Sequence, residues 1–165
     1  MHRLKIILCG QKSFGAAALD MLAKTPHEIV AVYAPEGDKL HRHAVLTGRP
    51  VNPGGRLSSD TMPEADLLVA AHSHDYISRP VRNRLVLGAI GYHPSLLPLH
   101  RGRDAVEWTV RMGDRVTGGT VYWLNDTVDG GPVCRQDWCL VGLHDAHSLW
   151  REQLFPMGIR LLEES

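Results

Sequence analysis

Three cysteines in 165 residues, Cys9, Cys134 and Cys139, are too few and too irregularly spaced to form a disulfide framework. An odd set of unpaired thiols points to a reducing compartment, so a cytoplasmic location is expected. Charge bias is missing too: 18 basic residues offset 18 acidic ones, and no long run of either sign occurs. Without a basic stripe there is no phosphate-tracking surface, which argues against nucleic acid and an anionic membrane as partners. Small or neutral partners fit better. No apolar stretch approaches the ~18 residues that a membrane span needs. The apolar run in MHRLKIILCG is too short for a secretory signal and leads into a strand pattern.

What remains is ordinary for a globular protein, with 44% hydrophobic and 22% charged residues. A chain of this length buries roughly two thirds of the surface it exposes when unfolded. No disulfide or metal is needed to hold its core. The expectation is one domain spanning residues 1–165.

Residues 4–8 form an apolar run closed by Cys9-Gly10, the pattern of a buried strand. Residues 15–23 carry Ala16, Leu19, Leu22 and Ala23 at helical spacing, and residues 29–33 (IVAVY) give a second, β-branched strand. Strand, helix and strand in about thirty residues predict a βαβ unit and hence a parallel sheet. Residues 35–63 are rich in glycine and proline, and only residues 40–46 predict a short helix there. A third strand is predicted over 65–71, a helix over 78–87 with Pro80 in its first turn, and a fourth strand over 89–92. Residues 104–112 predict a helix with Asp104 as N-cap or first-turn acid. The alternating GTVYWL (119–124) and residues 133–140 predict two strands paired through the DGGP turn. An amphipathic helix over 148–164, interrupted near Pro156, closes the chain. Alternating strands and helices followed by a late antiparallel pair indicate a three-layer α/β domain.

In open parallel sheets ligands bind at the carboxyl ends of strands. The fourth predicted strand ends at Tyr92-His93, and the turn after GTVYWL ends at Asp129. Both side chains are therefore expected at strand ends. An imidazole beside a carboxylate is a usable acid/base pair, because the acid fixes the tautomer. On spacing alone, a buried histidine satisfied by a neighbouring aspartate explains the same pattern. Other features carry less. His41/His43 and His72/His74 have H-x-H spacing but no cysteine or carboxylate cluster to complete a zinc site, so no metal is expected. Gly10 and Gly15 lack the G-x-G-x-x-G spacing of a dinucleotide site. Trp108, Trp123, Trp138 and Trp150 follow no regular spacing and are expected in the core or at its rim. No evidence in the sequence makes Cys134 a nucleophile.

Residues 91–102 (GYHPSLLPLHRG) and 125–132 (NDTVDGGP), with the intervening GD and GG, together resemble the formyltransferase family that uses 10-formyltetrahydrofolate. The likeness is nearest to the hydrolase domain of 10-formyltetrahydrofolate dehydrogenase, and extends to glycinamide ribonucleotide and methionyl-tRNA formyltransferases. ILCGQKSFG and LFPMGI resemble that hydrolase domain's first turn and last helix. The resemblance implies a Rossmann-like formyltransferase fold: a mostly parallel sheet with a late antiparallel pair, shortened over residues 35–63 and without the family's carboxyl-terminal barrel domain. It implies 10-formyltetrahydrofolate as donor, no metal, and a small amine or water as acceptor. His93 falls on the family's catalytic histidine and Asp129 on its catalytic aspartate. Gly91 stands where the transferases carry asparagine; the dehydrogenase's hydrolase domain also lacks it. Tyr76, Ile77 and Val81 would line the pteridine pocket, and Asn125, Asp126, Thr127 and Val128 would offer backbone contacts to its ring. Arg101 would serve a structural role or hold an acceptor's anionic group. The shortened segment leads to the expectation of a homodimer, a second copy covering the exposed sheet face.

Overall fold

The computed structural model describes residues 3–165 and divides into two compact units, one ending at Gly91 and the other comprising Tyr92–Ser165. In the first unit, β1 (Lys5–Gly10), β2 (Glu28–Ala34), β3 (Val51–Pro53), β4 (Leu67–Ala71) and β5 (Gly88–His93) alternate with α1 (Lys12–Ala23), α2 (Lys39–Leu46) and α3 (Arg79–Asn83). β5 carries its last two residues into the second unit. β1 pairs with β2 and with β4, β2 with β3, and β4 with β5, every ladder parallel, which gives the order β3-β2-β1-β4-β5. As the central strand, β1 buries Ile6, Ile7 and Leu8 completely or nearly so, the continuous apolar run that a strand covered on both faces requires.

The chain order reverses between β1 and β4, and the backbone is tight there. A Cβ on Gly10 would run into the Ala71 carbonyl, so glycine is needed for the close approach. Lys12 and His72, just past the ends of β1 and β4, both take left-handed conformations, with φ of 56° and 59°. One oxygen of Asp38 accepts from Leu40 N and from Lys12 N, each at 2.8 Å. It thereby caps α2 and takes up a free N–H of α1. Asp38→Ala is expected to lower stability by about 1–2 kcal/mol, read as a shift of the urea midpoint without a change in slope.

The second unit holds α4 (Ala105–Arg111), the antiparallel pair β6 (Val116–Trp123) and β7 (Val133–Leu140), and a closing run of α5 (Ala146–Leu149), a π-helical turn (Trp150–Leu154) and α6 (Phe155–Glu163). Tyr92 organises this unit. A Cβ built on Gly119 of β6 or on Gly158 of α6 would overlap its ring, so two glycines make the space that the ring fills. Its phenol donates to the Leu154 carbonyl at 2.7 Å. Burial first, and then the neighbouring Cys139, push that phenol far above its ordinary range, which keeps it a donor. α6 is further tied to β7 by the Arg160–Asp137 and Arg135–Glu164 ion pairs.

The α/β class, the parallel βαβ start and the late antiparallel pair are as the sequence indicates. Four details differ. β3 is absent from the sequence-based reading because a three-residue strand ending at proline leaves no periodicity to detect. α3 stops at Asn83 instead of 87, since Arg84 closes the helix and β5 begins at Gly88. Asp104 does precede α4, but it sits in a left-handed conformation (φ 60°) and its side chain makes no cap bond. The interruption near Pro156 is a π-helical turn ending two residues before it. Proline has no N–H to continue the helical ladder, and Phe155 N reaches back to Trp150 O. Two of the tryptophans, Trp108 and Trp138, are well exposed. All three cysteines are free thiols.

Candidate active site

His93 is the last residue of β5, and Asp129 lies in the connection between β6 and β7. The structure brings them together: His93 Nδ1 is 3.4 Å from Asp129 Oδ2, with side chains only 9% and 14% exposed. The other ring nitrogen, Nε2, is 2.7 Å from the His100 carbonyl. A carbonyl only accepts, so Nε2 carries a proton and donates it. Nδ1, facing the carboxylate, is then the nitrogen at which a proton can be gained or lost.

Asp129 is fixed from two sides. Its Oδ1 accepts from the Tyr122 hydroxyl at 2.5 Å and its Oδ2 from the Gly102 amide at 2.7 Å. Burial, followed by the hydrogen bond to Asp129 and that carboxylate's charge, pushes the Tyr122 phenol well above its usual range. Tyr122 therefore remains a donor to the carboxylate at any physiological pH. Asp129 itself holds φ at 47°, a left-handed conformation that aspartate tolerates better than most residues.

The HPSLLP segment is packed by a saturated polar cluster. Thr120 Oγ1 donates to Ser95 O (2.7 Å) and accepts from Leu97 N (3.2 Å) and Gln136 Nε2 (2.7 Å). Ser95 Oγ donates to Leu99 O at 2.6 Å. Thr120 and Ser95 are 0% and 1% exposed, so no water replaces a lost partner. Thr120→Val is expected to cost about 2–4 kcal/mol, because it strands a buried amide and a buried carbonyl. Calorimetry of the two proteins checks this.

The other predicted residues fall in different surroundings. Gly91 is buried on β5 opposite Ala70 of β4. Tyr76 is 72% exposed, whereas Ile77 and Val81 are buried at 5% and 1%. Asn125, Asp126, Thr127 and Val128 are exposed; Asn125 Oδ1 accepts from Thr127 N at 2.9 Å, a turn that fixes the loop's backbone. Arg101 is exposed. His43 pairs with Asp20 at 2.6 Å, and His72 and His74 meet edge to face. Among the described residues no group of three or more His, Cys, Asp or Glu could hold a metal ion.

Sequence reasoning missed Tyr122, the Gly102 amide, the His100 carbonyl and Thr120. Two of these are backbone atoms, which no residue type advertises, and their partners lie 7–27 residues away. It also missed Gln11, between β1 and α1. Gln11 is 8% exposed, and its Nε2 has no hydrogen-bond partner among the described residues. Nearby on the chain order's reversal, burial first and then the charges of Lys12 and His74 hold His72 below the usual imidazole range. An orphaned buried donor is costly, and an acceptor atom on a bound molecule removes that cost.

The Rossmann-like α/β fold that carries the His93–Asp129 pair is shared with formyltransferases of known structure, as the comparisons with known proteins show. The formyl transferase family matches residues 58–154. The mouse mitochondrial 10-formyltetrahydrofolate dehydrogenase is 36% identical over 99% of this chain, of which the match covers 20% of the relative's length. This chain therefore spans about a fifth of that relative. Methionyl-tRNA formyltransferase of Anaplasma marginale is 31% identical over 96% of this chain and 58% of its own length. Among solved structures, phosphoribosylglycinamide formyltransferase from Bacillus halodurans superposes with a TM-score of 0.82 at 19% identity, covering 96% of this chain and 91% of that one. A formyltetrahydrofolate deformylase from Pseudomonas putida KT2440 gives 0.75 at 22% identity, covering 99% and 64%. These two establish the shared fold. The chain belongs to the formyl transferase family, whose members are enzymes.

Proposed function

We propose that this chain moves the formyl group of 10-formyltetrahydrofolate to a small amine. The observation that carries the reading is the buried His93–Asp129 pair, with the carboxylate clamped by Tyr122 and Gly102 so that it stays beside Nδ1. Attack by the amine nitrogen on the formyl carbon puts negative charge on the formyl oxygen. A proton on His93 Nδ1 offsets that charge, and Asp129 offsets the charge on the imidazolium. The amine proton then passes by way of His93 to the folate nitrogen as the carbon–nitrogen bond breaks. Holding both reactants supplies much of the remaining acceleration.

On this reading residues 1–165 act as one catalytic domain. By the family resemblance, the Asn125–Val128 backbone and the side chains of Tyr76, Ile77 and Val81 are the groups assigned to the pteridine. The neutral charge balance supports a small acceptor over tRNA, and the three free thiols support a cytoplasmic location. A homodimer remains part of the proposal; light scattering at micromolar concentration gives twice the chain mass if it holds and the chain mass if it does not.

A second reading is favoured by one residue. Gly91 offers no side-chain donor to the formyl oxygen, and such a donor typically supplies roughly 2.7–4 kcal/mol. A slower site that passes the group to water, releasing formate and tetrahydrofolate, is the alternative. Absorbance of 10-formyltetrahydrofolate, followed with and without candidate amines, separates the two. Amine-dependent release of tetrahydrofolate supports transfer, and amine-independent release supports hydrolysis. Binding without turnover in either arm excludes both and leaves a non-catalytic folate-binding protein.

A further inference from the structure

Residues 99–102 hold both members of the site through their backbone. The His100 carbonyl receives His93 Nε2 at 2.7 Å, and the Gly102 amide donates to Asp129 at 2.7 Å. The segment is strained: His100 takes a left-handed φ of 50°, beside Gly102 at 83°. A non-glycine residue in that region costs about 1–3 kcal/mol and persists only where its surroundings enforce it. Two contacts enforce it here. Ser95 Oγ holds the Leu99 carbonyl at 2.6 Å, and His100 Nε2 donates to Asp114 Oδ2 at 2.6 Å.

We propose that Asp114 is a positioning residue: by anchoring the His100 ring, it aims the His100 carbonyl at His93 Nε2 and so fixes the tautomer that leaves Nδ1 toward Asp129. Among the described residues no hydrogen bond or ion pair joins Asp114 to His93 or Asp129, and it acts through one residue's backbone. A carbonyl that drifts releases the Nε2 proton, and the imidazole is then free to carry its proton on either nitrogen and to rotate. The turn that bears Asp114 does not depend on its carboxylate, because Asp114 N bonds Thr109 O at 3.1 Å and Val141 N bonds Arg115 O at 3.0 Å. Its side chain is also 30% exposed, so a substitution leaves little unsatisfied.

The effect on turnover rests on the proposed function; the effect on the tautomer does not. The test is therefore made on the whole chain, labelled with nitrogen-15 in its histidine rings, by long-range nitrogen–proton correlation spectra with and without Asp114→Ala. The native chain is expected to show His93 with a fixed Nε2 proton slow to exchange with solvent. Asp114→Ala is expected to lose that slow proton and average the two ring nitrogens, with turnover of 10-formyltetrahydrofolate reduced about tenfold at unchanged KM. Asp114→Asn keeps an oxygen acceptor for His100 and is expected to restore both readouts. An unaltered His93 signature in Asp114→Ala overturns the proposal. A released signature in a chain that never turned over formyl donor upholds it and overturns the functional reading instead.

Discussion

His93→Ala is expected to slow release of the formyl group by 10²–10⁴-fold, the range that a positioned acid or base contributes. The fold should survive the change. His93 is the end residue of β5, its ring is held by one backbone carbonyl and one carboxylate, and Asp129 keeps its bonds to Tyr122 and Gly102 in its absence. Steady-state rates and a circular dichroism melt, measured on the same sample, check both halves. KM for the folate should move little, because in the proposed mechanism the imidazole acts on the charge that develops during attack and not on the resting donor. A variant that turns over at the native rate removes His93 from the mechanism.

The second large effect is on stability, one residue away. Gly119→Ala and Gly158→Ala each place a methyl group inside the Tyr92 ring from opposite elements, β6 and α6. Strand backbone and a helix packed on it cannot yield without moving the register of β6 against β7, so overpacking of about 3 kcal/mol is expected for each. Tyr92→Phe, which keeps the ring and deletes only the bond to the Leu154 carbonyl, should cost about 1–3 kcal/mol. Denaturant midpoints give the ranking. Because Tyr92 precedes His93 on β5, either alanine variant should also lose turnover at temperatures where it is still folded. A glycine variant with native stability contradicts this account of the ring's seat.

These two predictions mark where sequence sufficed and where it did not. His93 and Asp129 were legible because their residue types and flanking words, HPSLLP and DGGP, are side-chain statements. The parallel start was legible because IILCG and IVAVY are continuous apolar runs, the mark of strands buried on both faces. The backbone clamp around the His93–Asp129 pair was not. The Gly102 amide and the His100 carbonyl are groups that every residue owns, and only the left-handed turns at His100 and Gly102 aim them. The roles of Gly119 and Gly158 were hidden for a similar reason: each is defined by the ring of Tyr92, 27 and 66 positions distant (119 − 92 and 158 − 92). β3 left no pattern because three residues ending in proline are too few to alternate. The π-helical turn followed from Pro156 only in outline, since a missing N–H predicts a break in the ladder but not its form.

The account stands on His93 and Asp129 acting as one unit, and a double-mutant cycle tests that most directly. Initial rates of formyl release are compared for the native chain, His93→Ala, Asp129→Asn and the double variant. If the carboxylate acts only through the imidazole, the double variant should be no slower than the slower single variant, as for catalytic groups that work together. Losses that multiply, or a double variant as fast as the native chain, contradict it.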